Sequence, residues 1–143
     1  MAVVGLTPML TVTSIDDAIK FYREVLGFQL ISSFPGWACM CLDSAEIMFA
    51  LPNQHVPFAQ PLMTGSLYFK TDQVDVLWER LKDHCQVEYP VEDFDYGMRE
   101  FAVRDNSGYL LQFGQERAGQ HGQLKSPSES SIARTTLAQF PPL

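Results

Sequence analysis

Apolar residues recur at helical spacing in two places, once through Ile15, Ala18, Ile19, Tyr22, Val25 and Leu26, and again through Val74, Leu77, Trp78 and Leu81. The two stripes stand about 59 residues apart, and each follows a short alternating stretch. Aligning them pairs Thr7 with Ser66, Ile15 with Val74 and Tyr22 with Leu81. Registers that coincide to the residue predict one unit used twice, each copy with an apolar face that needs a partner. Two such units are expected to enclose something between them.

The alternation predicts strands at Leu6–Thr13, Phe28–Ser33, Trp37–Leu42 and Ile47–Leu51 around a helix over Ile15–Leu26. Ser14 is placed to cap that helix with Asp17 three residues on, and Gly27 to end it. In the second unit, strand Ser66–Thr71 leads to a helix over Gln73–His84 with Asp72 as its cap. Strands Gln86–Tyr89, Met98–Arg104 and Tyr109–Phe113 follow, with an acidic loop at Val91–Tyr96 and a turn at Asp105–Gly108. The expected organisation is one domain over residues 1–115, with module one at about 5–51, a linker at 52–64 and module two at 65–114. Residues 116–143, rich in Gln, Ser, Gly and Pro, read as a flexible tail; docking through Leu137–Leu143 is the alternative.

Composition narrows the class. Of the 143 residues, 46% are hydrophobic and 12% aromatic, a globular balance. No apolar run approaches the roughly 20 residues of a membrane span, and the N-terminal stretch lacks the basic start of a secretory signal. Cys39, Cys41 and Cys85 form an odd set without metal-site spacing, which predicts reduced thiols and a cytoplasmic protein. The net charge of −7 comes with no cluster of Lys or Arg, so nucleic-acid binding is disfavoured. An acidic body serves solubility, and it also suits a cationic small molecule.

The segments SIDDAIKFYREVLGF (Ser14–Phe28), TDQVDVLWERL (Thr71–Leu81) and YGMREFAVRDNSGYLLQFGQ (Tyr96–Gln115) carry a resemblance over about residues 5–115. The chain resembles the vicinal oxygen chelate superfamily, which includes glyoxalase I, extradiol dioxygenases, fosfomycin-resistance enzymes and bleomycin-resistance proteins. That resemblance implies an α+β fold of two βαβββ modules, whose half-barrel sheets form a concave cavity with helices on the convex face. In metal-dependent members a divalent ion sits in that cavity, held from a first and a last strand of each module. Carried over position by position, those places fall on Thr7, on or beside Ala50, on Ser66 and on Gln112.

None of these is His, Asp or Glu, whereas a divalent transition metal needs three or four such donors at about 2.0–2.2 Å. Gln can serve as one ligand; Thr and Ser hydroxyls are poor ones. His55 in the linker, His84 after helix two and His121 in the tail have no second donor at helical or strand spacing. The expected cofactor is therefore none, the alternative being one divalent metal ion.

With Thr7, Ser66 and Gln112 facing the cavity, alternation sends Met9, Thr11, Tyr68, Lys70 and Leu110 to the same side. Met98, Glu100 and Ala102 join them if no bulge intervenes, while Leu10, Val12, Phe69, Phe101, Val103, Leu111 and Phe113 pack beneath the helices. The candidate ligand-binding residues are Met9, Trp37, Phe58, Ser66, Tyr68, Tyr96, Met98, Glu100 and Gln112. They make an apolar and aromatic groove with a few polar groups, in which a planar ligand could stack and Glu100 could select a cation. The plainer reading is that these aromatics simply fill the cavity. No nucleophile–base pair is legible, so no catalytic residue is assigned.

The function expected is metal-independent binding of an aromatic or cationic small molecule, similar to the bleomycin-resistance branch, where the resemblance implies a homodimer and a role in antibiotic resistance. Two other readings stand beside it. One is an enzyme of the superfamily (lyase, isomerase or dioxygenase) using an atypical set such as Gln112, Glu100 and His55. The other is a protein whose dimer surface or tail recruits a second protein.

Overall fold

A computed structural model describes residues 2–55 and 58–118. Module one comprises β1 (Met9–Thr11), α1 (Ile15–Glu24), β2 (Gln29–Phe34), β3 (Trp37–Leu42) and β4 (Ala45–Ala50). Module two comprises β5 (Leu67–Lys70), α2 (Val74–Leu81), β6 (Gln86–Asp93), β7 (Met98–Arg104) and β8 (Leu110–Glu116). Each module forms its own four-stranded mixed sheet, ordered β1-β4-β3-β2 and β5-β8-β7-β6. The first strand pairs parallel to the last, and the others pair antiparallel. This is the expected α+β arrangement of two βαβββ modules. Among the described residues no helix is long and apolar enough to cross a membrane.

Both helices are short and marginal alone, so burial of one face decides that they form. Ala18, Tyr22 and Leu26 from the first stripe and Val74 and Leu81 from the second are buried in one core that spans both modules. The strand parity expected from alternation is observed, with Leu10, Val12, Phe101, Val103, Leu111 and Phe113 all buried beneath the helices. The Ser14 hydroxyl accepts from the Asp17 amide at 3.1 Å, and Gly27 takes φ +83° where α1 gives way to β2.

Three expectations shift. β6 runs on to Asp93 with two register shifts against β7, so the first half of the acidic loop expected at Val91–Tyr96 is strand. Strand one shortens to Met9–Thr11, because Pro8 has no N–H and contributes only its carbonyl to Met48. The cap of α2 is Gln73 rather than Asp72, and it makes no side-chain capping bond. Its orphan amides are met from elsewhere: Thr71 Oγ1 accepts from Gln73, and Gln115 Oε1 on β8 accepts from Val74 at 3.0 Å.

Two tyrosines tie the modules together on the helix side. The Tyr22 hydroxyl on α1 donates to Asp105 Oδ2 at 2.8 Å, inside the core. The Tyr109 hydroxyl crosses the other way, to the Thr11 carbonyl at 2.7 Å. Asp105 also accepts from the Ser107 and Tyr109 amides, which fixes the turn between β7 and β8. Burial raises the Asp105 pKa, and these donors act against the shift.

Candidate functional site

The helix-free face of the module-two sheet is a grid whose rows follow from strand register. Tyr68 pairs with Gln112, Gln112 with Ala102 and Ala102 with Tyr89, giving one row across all four strands. The next row runs Lys70, Gly114, Glu100 and Glu92. Paired residues share a face, so both rows point to the same side of the sheet. Above them lies an open cavity of about 960 Å³, lined by Tyr68, Lys70, Tyr96, Met98, Glu100 and Gln112. Asp43, from the β3–β4 turn of module one, and Asp72 and Glu116 complete an acidic rim.

Glu100 is the centre of this face. It is only 2% exposed, and a carboxylate so placed needs donors. Three phenols supply them: Tyr68 to Oε2 at 2.6 Å, and Tyr89 and Tyr96 to Oε1 at 2.9 and 2.5 Å. The network continues away from the carboxylate, as Gln112 Nε2 donates to the Tyr89 oxygen at 2.8 Å and the Ser66 hydroxyl donates to Gln112 Oε1. Burial pushes the Tyr68 and Tyr96 phenols well above the ordinary tyrosine range, and the adjacent Glu100 pushes them further. Tyr89 also rises, through burial first, with Gln112 opposing.

Tyr68 can lie along the sheet because Gly114 stands between it and Glu100. A Cβ on Gly114 would come within 2.6 Å of the Tyr68 Cζ, well inside contact distance. Phe94 stacks on Tyr96 at 5.3 Å between centroids and meets Tyr89 edge-on at 5.7 Å, so the phenols on the β6–β7 side are held from behind.

Five of the expected site residues, Tyr68, Tyr96, Met98, Glu100 and Gln112, therefore line one cavity, and Ser66 joins through Gln112. Met9, Trp37 and Phe58 do not line it. Met9 pairs with Met48 on the module-one sheet, where it is 56% exposed. Trp37 stacks on Phe34 at 4.7 Å on that same sheet, and Phe58 sits half-buried in the connecting segment. The physical reason is that the two modules form separate sheets, so a shared alternation does not bring their faces together.

Tyr89, Gly114, Asp43 and Asp72 were not expected at the site. Tyr89 ends its predicted strand, and register shifts on both sides of it in β6 set its facing, which simple alternation does not anticipate. Gly114 reads as the end of a domain; a glycine inside the pattern LLQFGQE is instead the sign of a close approach across the strand.

Register also moves one of the inferred metal positions. Met9 pairs with Met48 as Tyr68 pairs with Gln112, so the module-one counterpart of Gln112 is Met48 rather than Ala50. Ala50 matches Gly114, and Trp37 matches Glu100. The four positions are thus Thr7, Met48, Ser66 and Gln112. Thr7 donates to Glu46 at 3.1 Å and Ser66 to Gln112, so both hydroxyls are engaged. This donor set does not fit a divalent ion. Among the described residues no three His, Cys, Asp or Glu side chains converge as a metal site. His55 lies exposed in the connecting segment, its amide bonded to Asn53, and is not part of the cavity lining. His121 and Leu137–Leu143 lie outside the described residues. The cysteines are free, with Cys39 buried and its thiol pKa raised by burial and then by Glu46.

A family model described as Glyoxalase/Bleomycin resistance protein/Dioxygenase superfamily matches residues 6–113. Solved structures agree in fold. TioX from Micromonospora sp. ML1 is 21% identical with a TM-score of 0.66, over 78% of this chain and 97% of its own. A glyoxalase/bleomycin resistance protein/dioxygenase from Nocardioides is 17% identical with a TM-score of 0.71, over 90% and 92%. One from Alicyclobacillus acidocaldarius is 15% identical with a TM-score of 0.67, over 84% and 95%. A search among curated proteins gave no match.

Proposed function

The chain belongs to the Glyoxalase/Bleomycin resistance protein/Dioxygenase superfamily, and on that premise we propose that it is a metal-independent protein that binds a small aromatic or cationic compound without transforming it. The observation that carries this reading is the buried Glu100 carboxylate on a cavity wall, ringed by three phenols. All three phenols donate to Glu100; the Tyr89 oxygen is taken by Gln112, while Tyr68 and Tyr96, which line the cavity, keep oxygen lone pairs and ring faces for a ligand. A wall of acceptors and π faces with a fixed negative charge behind it favours a cation or a donor-rich ring system. The donor-poor set at Thr7, Met48, Ser66 and Gln112 supports metal independence.

The reading includes a homodimer. On module one, the row matching Lys70, Gly114, Glu100 and Glu92 is Thr11, Ala50, Trp37 and Phe34. An apolar face with Met9 and Phe34 more than half exposed suits burial against a second copy, which would stand opposite the module-two cavity and leave it as a groove between the two chains. A cytoplasmic location belongs to the same reading, resting on the three free thiols.

A thermal-shift screen of cationic and aromatic metabolites and antibiotics, with and without divalent metals, tests this function. A compound at a hundredfold excess over its dissociation constant stabilises the fold by about 2.7 kcal/mol, a readily measured shift. Stabilisation that requires iron, nickel, zinc or manganese, together with stoichiometric metal in protein purified without chelator, would overturn it in favour of a metal enzyme.

A further inference from the structure

Among the described residues that line the cavity, Lys70 is the one positive group, and its position is informative. Lys70 and Glu100 both pair with Gly114, one from each side, so they lie in a single row on one face of the sheet. Two strand spacings separate their backbones by about 9–10 Å. Between them stands a residue without a side chain, and the Tyr68 ring lies over it. Lys70 is exposed and makes no ion pair among the described residues, although Asp43, Asp72 and Glu116 line the same cavity. Glu100, by contrast, is buried and fully donated to.

This geometry points to a ligand with two opposite charges, and we propose that the cavity takes a zwitterionic, amino-acid-like aromatic compound. Its carboxylate pairs with the Lys70 ammonium, its protonated nitrogen meets the phenolic oxygens in front of Glu100, and its ring lies beside Tyr68 and Tyr96. The lining as a whole decides between this and singly charged alternatives. Among the described lining residues, Asp43, Asp72 and Glu100 against one lysine repel a simple anion. A simple cation gains from Glu100 and the rim but leaves Lys70 unpaired beside it. A zwitterion satisfies both ends, and its net charge of zero adds no repulsion. The proposal rests on the binding role stated above and specifies its ligand class.

Three matched probes test it: L-tryptophan with both charges, tryptamine without the carboxylate, and indole-3-propionate without the amine. Titration calorimetry on the full chain is expected to rank tryptophan first by about tenfold, the worth of one well-placed charged contact of some 1.4 kcal/mol. Lys70→Met should bring tryptophan down to the level of tryptamine and leave tryptamine no weaker, while Lys70→Arg restores the preference. Circular dichroism of the same variants confirms that the exposed Lys70 site tolerates substitution. Tryptamine binding as tightly as tryptophan, with Lys70→Met indifferent for both, overturns the two-charge site and leaves a cation-binding cavity standing. Absence of binding by all three probes also overturns it, and the broader compound screen then decides the binding role separately.

Discussion

The Tyr68 phenol lies across Gly114, and its bond to the Glu100 carboxylate passes over the one position in that row without a side chain. A methyl group at residue 114 must displace the ring. Gly114→Ala is therefore expected to break the Tyr68–Glu100 bond and destabilise the fold by about 1–2 kcal/mol. Tyr68→Phe removes the same bond, so the two changes should be clearly less than additive in urea titrations. Full additivity would mean that Gly114 and Tyr68 act independently.

Glu100→Gln tests the carboxylate itself. An amide cannot accept from all three phenols, and a loss of about 1–3 kcal/mol is expected at pH 7. The spectroscopic signature is sharper. The Tyr68 and Tyr96 phenols are raised by burial and then by Glu100, so removing the charge should lower their ionisation midpoints, read by absorbance at alkaline pH.

The same phenols set an alkaline limit on stability. Their folded pKa values lie above the unfolded value of about 10, so the folded chain binds more protons in that range. Their contribution is intact below pH about 10 and is lost as the pH rises beyond it. Because Glu100→Gln lowers the folded midpoints toward the unfolded value, stability measured by urea titration should fall less steeply above pH about 10 in the variant than in the parent.

Inside the core, Tyr22→Phe withdraws a donor from Asp105. That donor counteracts the upward shift caused by burial, so the Asp105 pKa should rise further in the variant, as followed by NMR titration. A raised carboxyl favours the folded state at low pH, a contribution lost as the pH climbs through the folded pKa. The destabilisation, about 1–3 kcal/mol at pH 7, should therefore shrink toward pH 4. A penalty independent of pH would show that lost packing dominates.

The proposed dimer is tested at Phe34, which is 60% exposed and stacked on Trp37. Phe34→Glu should leave the fold intact and shift sedimentation velocity from dimer to monomer. A parent chain that sediments as a monomer at micromolar concentration removes the dimer from the reading.

How much of this was legible in the sequence varies with the physics involved. The helix stripes and strand parities were, because burial of Tyr22, Leu10, Phe101 and Phe113 imposes a period that composition cannot disguise. Glu100 and Tyr68 were placed on the cavity side by the same parity. Tyr89 was not, since register shifts in β6 decide its facing and leave no compositional mark. The cap of α2 was missed for a related reason: Gln115, forty-one residues beyond Val74, supplies the acceptor, and no local motif encodes a partner so distant. The offset between modules, 59 residues at the first strands, grows to 64 between Met48 and Gln112, which is why the metal position slid from Ala50.

The crossed tyrosine ties have a mechanical consequence. Tyr22 fastens helix α1 to the β7–β8 turn while Tyr109 fastens that same turn to β1, so one turn of module two is pinned to two elements of module one. A hinge between the modules would have to break two buried or half-buried hydrogen bonds at once, and domain closure is not an inexpensive motion here. Under the proposed binding role, a guest would be accommodated by side chains at the rim; Tyr96 is 52% exposed there, and its turning would cost the bond to Glu100 and the stack on Phe94 but no movement of the modules.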